Sequence, residues 1–307
     1  MSRSLLNPVS QVFKSPRPLW ACEFTSRHVI IAGVDSSRKR VAGRAVEPLP
    51  LDAIRPSLNG KNLADFDTVR DITKDAVRRA GVRGYEMSVV IPDDSSRIGL
   101  VTADNLPGKA GDREAFLRWK LKKTVPFDIE TAQIAYQVLG PHGGLNEKGV
   151  DILVAASPRA IVQEYEDVME RLDIHAGCVV PSTIAAMNLR PEGGTANKPE
   201  DVIFVKVAPE SIATTVFQNA RPRFYRRVAE MPLYDAVYPT MMYYQDKLGG
   251  TTLSSATVCG YDADLHRDME ELEDRLDVPV RGMEPRNTED IYKPALGAVG
   301  FVWANLI

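Results

Sequence analysis

The stretch Val202–Val228, VIFVKVAPESIATTVFQNARPRFYRRV, contains three strand-like runs that are separated by short polar turns. Runs of this length, rich in β-branched and aromatic residues and bounded by turn-forming residues, are typical of β-strands. The short turns predict that the strands follow one another as hairpins. The predicted strands are Val202–Val207, Ile212–Phe217 and Arg223–Val228. A matching triplet opens the chain, at Leu19–Phe24, His28–Val34 and Arg40–Val46.

Alternating helices and strands follow each triplet. After the first triplet, apolar residues at helical spacing predict a helix that Asp67 caps and that ends at Gly81. Ser157 and Pro158 predict the start of a later helix, because Ser is a good cap and Pro fits the first helical position. After the second triplet, the predicted helices are Leu233–Leu248 and Leu265–Leu276.

The first half of the chain holds an additional block at about residues 85–172, which reads strand, strand, helix, strand, strand, helix. Within it, Gln133–Leu139 alternates, so Ile134, Tyr136 and Val138 are expected on one side of a strand. Pro191–Pro199, PEGGTANKP, is the strongest linker signal of the chain. These patterns predict an α/β fold of two lobes, residues 1–190 and 191–307, with the extra block in the first lobe.

The composition narrows the class of function. With 38 basic and 41 acidic residues the net charge is −3, which argues against wholesale binding of nucleic acid or anionic lipid. The three cysteines and four histidines show no metal-ligand spacing. No secretory signal is visible, and Ala295–Ile307 is too short to span a bilayer. Met1–Lys14 is predicted to be a docked or frayed tail, with a short amphipathic membrane foot as the alternative.

Several segments resemble the PilM family of type IV pilus assembly proteins and the related cell-division protein FtsA. Phe116–Phe127, FLRWKLKKTVPF, with Ala135–Leu139 after it, is similar to the inserted subdomain of that family, as is Asp151–Pro158. Val216–Val228 resembles the hairpin after the second phosphate loop, and Leu272–Val280 the helix-to-strand step after the adenine loop. The resemblance implies an actin-like, two-lobed fold with an inserted SHS2-like subdomain.

The resemblance also implies a role. PilM-like proteins sit on the cytoplasmic face of the inner membrane and hold the N-terminal tail of the membrane protein PilN in a groove beside the inserted subdomain. The complex links the pilus motor to the alignment apparatus, so membrane association is expected through partners and nucleic-acid binding is not. Residues of the inserted block, Arg118, Trp119 and Phe127, are the predicted contacts with the tail. For Trp119, a partner anchor and core packing both stay open.

An actin-like site holds Mg-ATP between two hairpin loops, whose small residues let backbone N–H groups approach phosphate while acidic residues position the metal. In the first loop, Glu23 keeps a carboxylate, but Thr25 stands where the family carries Gly and is followed by Ser26. In the second loop, Lys206 stands where the family carries Asp. Ala208 stands where the family carries Gly, and Pro209 after it lacks an N–H donor; Ser211 is also assigned to the remnant loop.

The adenine loop is also altered, since only Gly260 remains of its Gly-rich run before Tyr261–Asp264. The predicted remnant of the nucleotide site is therefore Glu23, Thr25, Ser26, Lys206, Ser211 and Gly260. We expect no catalytic residue, no metal site and no cofactor, and hence no ATPase activity.

Two other functions stay open at this point. A divergent ATPase or phosphotransferase would use Mg-ATP with Glu23 as its metal-positioning carboxylate, and Lys206 would then meet phosphate as a point charge. A polymer-forming cytoskeletal protein is the third class. Arg221–Arg227 is predicted to be a solvated strand face, with a nucleic-acid patch as the alternative. The adjacent acids Asp93 and Asp94 are not expected to face one site.

Overall fold

Three β-sheets form the framework of the protein. The computed structural model describes residues 18–35, 40–142, 149–189, 200–260, 265–283 and 296–303. The predictions made for Met1–Lys14, Pro191–Pro199 and Tyr261–Asp264 lie outside these residues. Within them, no helix is long and apolar enough to cross a membrane.

The elements are numbered in chain order. The strands are β1 (Trp20–Phe24), β2 (His28–Asp35), β3 (Arg40–Pro48), β4 (Glu86–Ile91), β5 (Arg97–Ala103), β6 (Ala132–Pro141), β7 (Val150–Pro158), β8 (His175–Pro181), β9 (Val202–Val207), β10 (Ser211–Gln218), β11 (Arg221–Ala229), β12 (Ser255–Gly260) and β13 (Val280–Gly282). The helices are α1 (Phe66–Ala80), α2 (Ala110–Leu121), α3 (Arg159–Glu170), α4 (Ser182–Ala186), α5 (Leu233–Leu248), α6 (Leu265–Leu276) and α7 (Leu296–Trp303).

Two of the sheets have the same topology. The first has the order β3-β2-β1-β4-β8 and the second the order β11-β10-β9-β12-β13. In each, three antiparallel strands are joined as hairpins, and two further strands add in parallel beside the first of them. Both hairpin triplets predicted from the sequence are therefore confirmed, and the central strands β1 and β9 occupy equivalent places.

The third sheet, β5-β7-β6, is antiparallel and lies with α2 within residues 97–158. Leu117 and Leu121 of α2 are buried, as are Ile152 and Val154 of β7. The flanking strand β4 and helix α3 contribute instead to the core of the first sheet. The inserted subdomain defined by packing thus spans residues 97–158, and the lobe boundary at residue 191 stays a prediction.

One large apolar cluster joins the two halves of the chain. It contains Ile30 and Val90 from the first sheet and Phe204 and Phe217 from the second. Helix α7 contributes Ala298, Val299, Phe301 and Val302 to the same cluster. Although α7 follows the second sheet in the chain, it packs on α4, β1 and β2 of the first half. Gly300 makes this approach possible, since a Cβ there would lie 2.3 Å from the Ala185 carbonyl oxygen.

Both predicted caps were wrong. Helix α1 begins at Phe66, and the Asp65 carboxylate accepts a hydrogen bond from the Thr68 amide at 3.2 Å. Asp67, the predicted cap, lies inside the first turn. At α3, Pro158 occupies the cap position, while the Ser157 hydroxyl donates to the Ser95 carbonyl at 2.6 Å. The Ser157 hydroxyl therefore bonds to a residue distant in the chain and does not cap the helix as its local propensity would predict.

The predicted alternation in β6 is confirmed as far as Val138. Ile134 and Tyr136 pack on one cluster of the subdomain, whereas Leu139 is buried in another cluster with Ile98 and Leu153. Val138 is 40% exposed. The register shifts only after this residue, between Val138 and Gly140.

The capping assignment predicts a contrast between two neighbouring aspartates. Asp65→Ala should lower the urea midpoint of unfolding, because it removes the acceptor for an amide at the start of α1. Asp67→Ala is the matched control and should leave the midpoint nearly unchanged, since Asp67 makes only an exposed ion pair with Arg70. Equal effects of the two substitutions would contradict the assignment.

Candidate functional site

The candidate site lies where the ends of β1 and β9 face each other across the two halves. Glu23 and Lys206 are the penultimate residues of these equivalent strands. Both side chains are buried, with relative exposures of 1% and 7%. Charged side chains are almost never buried without a partner, so the contacts of each define what the site can do.

Glu23 is held by two donors. The Ser182 hydroxyl donates a short hydrogen bond to Oε1, and the Ala298 amide at the start of α7 donates to Oε2 at 2.8 Å. A Cβ on Gly297 would lie 2.3 Å from Oε1, so only glycine lets α7 come this close. Burial raises the pKa of Glu23 above its ordinary value, although Lys206 and both hydrogen bonds act in the opposite direction. Glu23 thus ties the terminal helix to the first sheet.

Lys206 reaches from the second half to a carboxylate of the first. Its Nζ lies 3.9 Å from Oδ2 of Asp93, which belongs to a 3-10 turn directly after β4. The Thr183 amide donates to Oδ1 of Asp93 at 2.9 Å, and the Thr183 hydroxyl donates to Oδ2. Burial lowers the pKa of Lys206, but the attraction of Asp93 and Glu23 outweighs it and leaves that pKa raised. Lys206 is therefore held as an ammonium beside Asp93, and Glu23 adds to the attraction.

The first loop is closed by groups of the protein itself. The Thr25 hydroxyl accepts from the amides of Arg27 at 3.1 Å and His28 at 2.8 Å. The Ser26 amide donates to Oε1 of Glu210, in the second loop, at 2.9 Å. These N–H groups are the ones that a phosphate would need. The Ser26 amide donates to the Glu210 carboxylate instead of to a phosphate.

The second loop is engaged in the same way. The Ser211 hydroxyl donates to Oδ2 of Asp94 at 2.7 Å, and Arg227 makes a short ion pair with Oδ1. As predicted, Asp93 and Asp94 do not face one group, because they pair with different partners. Gly260 pairs with Val207, and a Cβ on it would lie 2.7 Å from the Val207 Cβ. Its retention is explained by close packing between β9 and β12.

These residues do not fit a magnesium-bound triphosphate. The buried carboxylates that would position the metal and its waters already face an ammonium, and a loop amide already has an anion. Among the residues that the structure describes, no three His, Cys, Asp or Glu side chains cluster as metal ligands. A cavity of about 260 Å³ borders the second loop, but its charged lining includes Glu230 and Asp268 besides Arg27. Two carboxylates there disfavour a polyanion.

The sequence had singled out Glu23, Thr25, Ser26, Lys206, Ser211 and Gly260, and the structure brings the first five to one interface between the halves. It missed Asp93, Thr183, Ser182 and Glu210. One argument could have pointed to Asp93 and Asp94. Because β4 runs parallel to β1, its carboxyl end lies at the same edge of the sheet as Glu23.

The three residues predicted to bind a partner differ in their exposure and contacts. Arg118 points inward and donates to the carbonyl oxygens of Ile129 and, at 3.0 Å, Ala132. Phe127 is half-buried in the subdomain core. Trp119 is 67% exposed and lies near the Phe116 ring, so core packing is wrong for this residue.

Arginines of the basic strand β11 form ion pairs with residues of the first half of the chain. Arg223 pairs with Asp151 of the inserted subdomain at 2.6 Å, and Arg227 pairs with Asp94. The two side chains are only 17% and 27% exposed, so the prediction of a solvated strand face was wrong. The alternative, a nucleic-acid patch, loses these cations as well, because their charges are already balanced.

The duplicated sheets, the site between them and the inserted subdomain define a two-lobed protein of the actin-like fold. Similar solved structures include a PilM-PilN type IV pilus biogenesis complex, with a TM-score of 0.72, 13% identity, and coverage of 95% of this chain and 98% of that one. A Bacteroides thetaiotaomicron protein with an actin-like ATPase fold and unknown function gives a TM-score of 0.57, with 9% identity and coverage of 90% and 94%.

The family model for type IV pilus assembly protein PilM matches residues 25–226, which is more than half of the chain. The chain therefore belongs to the PilM family of type IV pilus assembly proteins. No curated protein matches the sequence.

The raised pKa of Glu23 predicts a pH-dependent difference between the protein and its Glu23→Gln variant. Because the folded state holds the proton more tightly than the unfolded state, Glu23 makes stability fall as pH rises from its ordinary value of 4.5 through the raised pKa. The free energy of unfolding of the wild type, minus that of Glu23→Gln, should therefore decrease across this window in urea titrations.

The other titratable groups that interact with Glu23 are Lys206, Asp93, Cys22 and Cys259, and they are common to both proteins. Glu86→Gln, at an exposed glutamate on β4, is the matched control for the loss of one carboxylate. A difference that rises with pH would contradict the assignment of a destabilised, buried carboxylate.

Proposed function

We propose that the chain is a non-catalytic scaffold subunit of the inner-membrane platform of a type IV pilus or a related secretion machine. The observation that carries this proposal is the occupation of the nucleotide loops by the protein's own side chains. Lys206 faces the carboxylates that would position a metal, and Glu210 occupies an amide that would bind phosphate. A protein of this family with such a site acts by holding other chains.

The proposed partner is the N-terminal cytoplasmic tail of a PilN-like membrane protein. Membership of the PilM family supports this, as does the similarity to the solved PilM-PilN complex over 95% of the chain. The protein would then lie in the cytoplasm at the inner face of the inner membrane and associate with it through its partners. A pilus motor ATPase is a further proposed partner, and nucleic acid is not.

The inserted subdomain offers two features that suit an extended peptide. Strand β6 lies at the edge of its sheet and, among the described strands, pairs only with β7, so its outer edge can accept an added strand. Trp119 presents a large exposed ring on the neighbouring helix α2. We therefore place the tail at β6 and α2, with Trp119 and Phe127 as its apolar contacts. Arg118 would position α2 against β6 through its bonds to Ile129 and Ala132.

Loss of the exposed ring predicts weaker tail binding. Trp119→Ala should raise the Kd for a synthetic peptide of the N-terminal tail of a PilN-like protein from the same organism by about tenfold or more. Isothermal titration calorimetry measures the effect. Tyr238→Ala, which removes an exposed ring from α5 in the other half, is the matched control and should bind like the wild type. Unchanged binding by both Trp119→Ala and Phe127→Ala would place the tail elsewhere.

The competing function, a divergent ATPase or phosphotransferase, predicts stabilisation by its cofactor. A ligand at a hundredfold its Kd raises the free energy of unfolding by about 2.7 kcal/mol. We expect millimolar Mg-ATP to leave the Tm of the wild type unchanged in differential scanning fluorimetry, because the loops are already engaged. A Tm increase that Glu23→Gln abolishes, together with phosphate release, would instead support the enzyme.

A further inference from the structure

Two carboxylates of the first half are buried at the interface and need a counter-charge. Glu23 and Asp93 have relative exposures of 1% and 4%, and each receives hydrogen bonds from neutral donors only of its own half or of α7. Neutral donors lessen the cost of burying an ion but leave its charge unbalanced. A cation from outside the first sheet must therefore balance the charges of Glu23 and Asp93.

Lys206 supplies that cation from the second half. Its neighbours across β10 and β12 are Ala213 and Cys259, whose small side chains flank the lysine stem. The ammonium lies 3.9 Å from Asp93, and Glu23 also interacts with it electrostatically. Because Glu23 and Asp93 both lie in the first half, one side chain of the second half serves two acids, as a divalent cation between them would.

A reciprocal contact runs in the other direction. Glu210 of the second half supplies a carboxylate to the Ser26 amide of the first half at 2.9 Å. The turn that carries Asp93 also holds Asp94, which receives Ser211 and Arg227 from the second half. Each half thus fills the charge requirement of the other, and both contacts need the halves to be closed against each other.

We propose that Lys206 is a built-in replacement for a divalent cation and Glu210 a built-in replacement for a bound anion, which together hold the two halves closed without nucleotide. An ordinary surface ion pair would not have this property, because removing its cation leaves acids that water can solvate. Here, removing the ammonium leaves two buried carboxylates without a counter-charge. A divalent cation should then be able to bind beside them.

The test is rescue by magnesium. Lys206→Met keeps most of the stem and removes the charge, so its Tm should fall clearly below that of the wild type. Millimolar MgCl2 should raise the Tm of Lys206→Met and leave the wild type unaffected in differential scanning calorimetry. Lys206→Arg retains the charge and should not respond to MgCl2. Lys247→Met, at an exposed lysine on α5, is the matched control for loss of one positive charge.

The double variant Lys206→Met/Asp93→Asn keeps the inference testable if the single variant does not fold. Removing a carboxylate together with its cation should recover part of the lost Tm, and the recovered protein should respond less to MgCl2 than Lys206→Met. The proposal is overturned if Lys206→Met is as stable as the wild type. It is also overturned if the double variant is no more stable than the single one, or if MgCl2 shifts wild type and Lys206→Met equally.

Hydrogen exchange tests whether the two halves are held closed. Hydrogen exchange at the Ser26 amide should be slow in the wild type and faster in Glu210→Ala and in Lys206→Met, because each substitution removes one of the reciprocal contacts. Equal exchange rates in all three proteins would contradict a shared closure. These experiments use the chain without a partner, so their failure would leave the proposed binding of a membrane-protein tail unaffected.

Discussion

Buried charge at the junction of the two halves constrains the rest of this structure. Glu23 and Asp93 lie in the first half with almost no access to water, and the ammonium of Lys206 comes from the second. A motion that separates the halves would remove the partners of these charges. Because a buried ion without its partner is costly, such a motion is disfavoured. The arrangement favours one relative position of the two sheets over all others.

The same constraint explains the path of the chain end. Helix α7 leaves the second half and packs on the first, where its Ala298 amide reaches Glu23. A carboxylate at a helix N-terminus is favoured by the helix dipole and by the free amides there. The apolar face of α7 meanwhile packs in the cluster that joins the two halves, with Phe204 of one sheet and Ile30 of the other. Charge and hydrophobic burial thus act on the same element.

A closed junction suits a protein that holds other chains. Enzymes with two lobes around a cofactor use closure as a step of the reaction, and such a step needs loops that are open to ligand. In this protein the loop donors are engaged, and β11 clamps the inserted subdomain through Arg223 and Asp151. The accessible features are instead on the outside, at the ring of Trp119 and the free edge of β6.

The local elements could be predicted from the sequence alone. Hairpin triplets, the strand Glu86–Ile91 and the helices Leu233–Leu248 and Leu265–Leu276 follow from periodicity and turn residues, since these depend on neighbours in the chain. The resemblance also led to the prediction that the nucleotide loops carry unusual residues, Lys206 among them.

The contacts of these loop residues depend on the tertiary structure. The bond from the Ser26 amide to Glu210 joins residues 184 positions apart, and the ion pair of Lys206 with Asp93 joins the two halves. Such contacts depend on how the sheets are placed against each other, which no local pattern encodes. The cap at Asp65 and the inward turn of Arg118 were missed for a related reason: competing partners were within reach, and only folding selects among them.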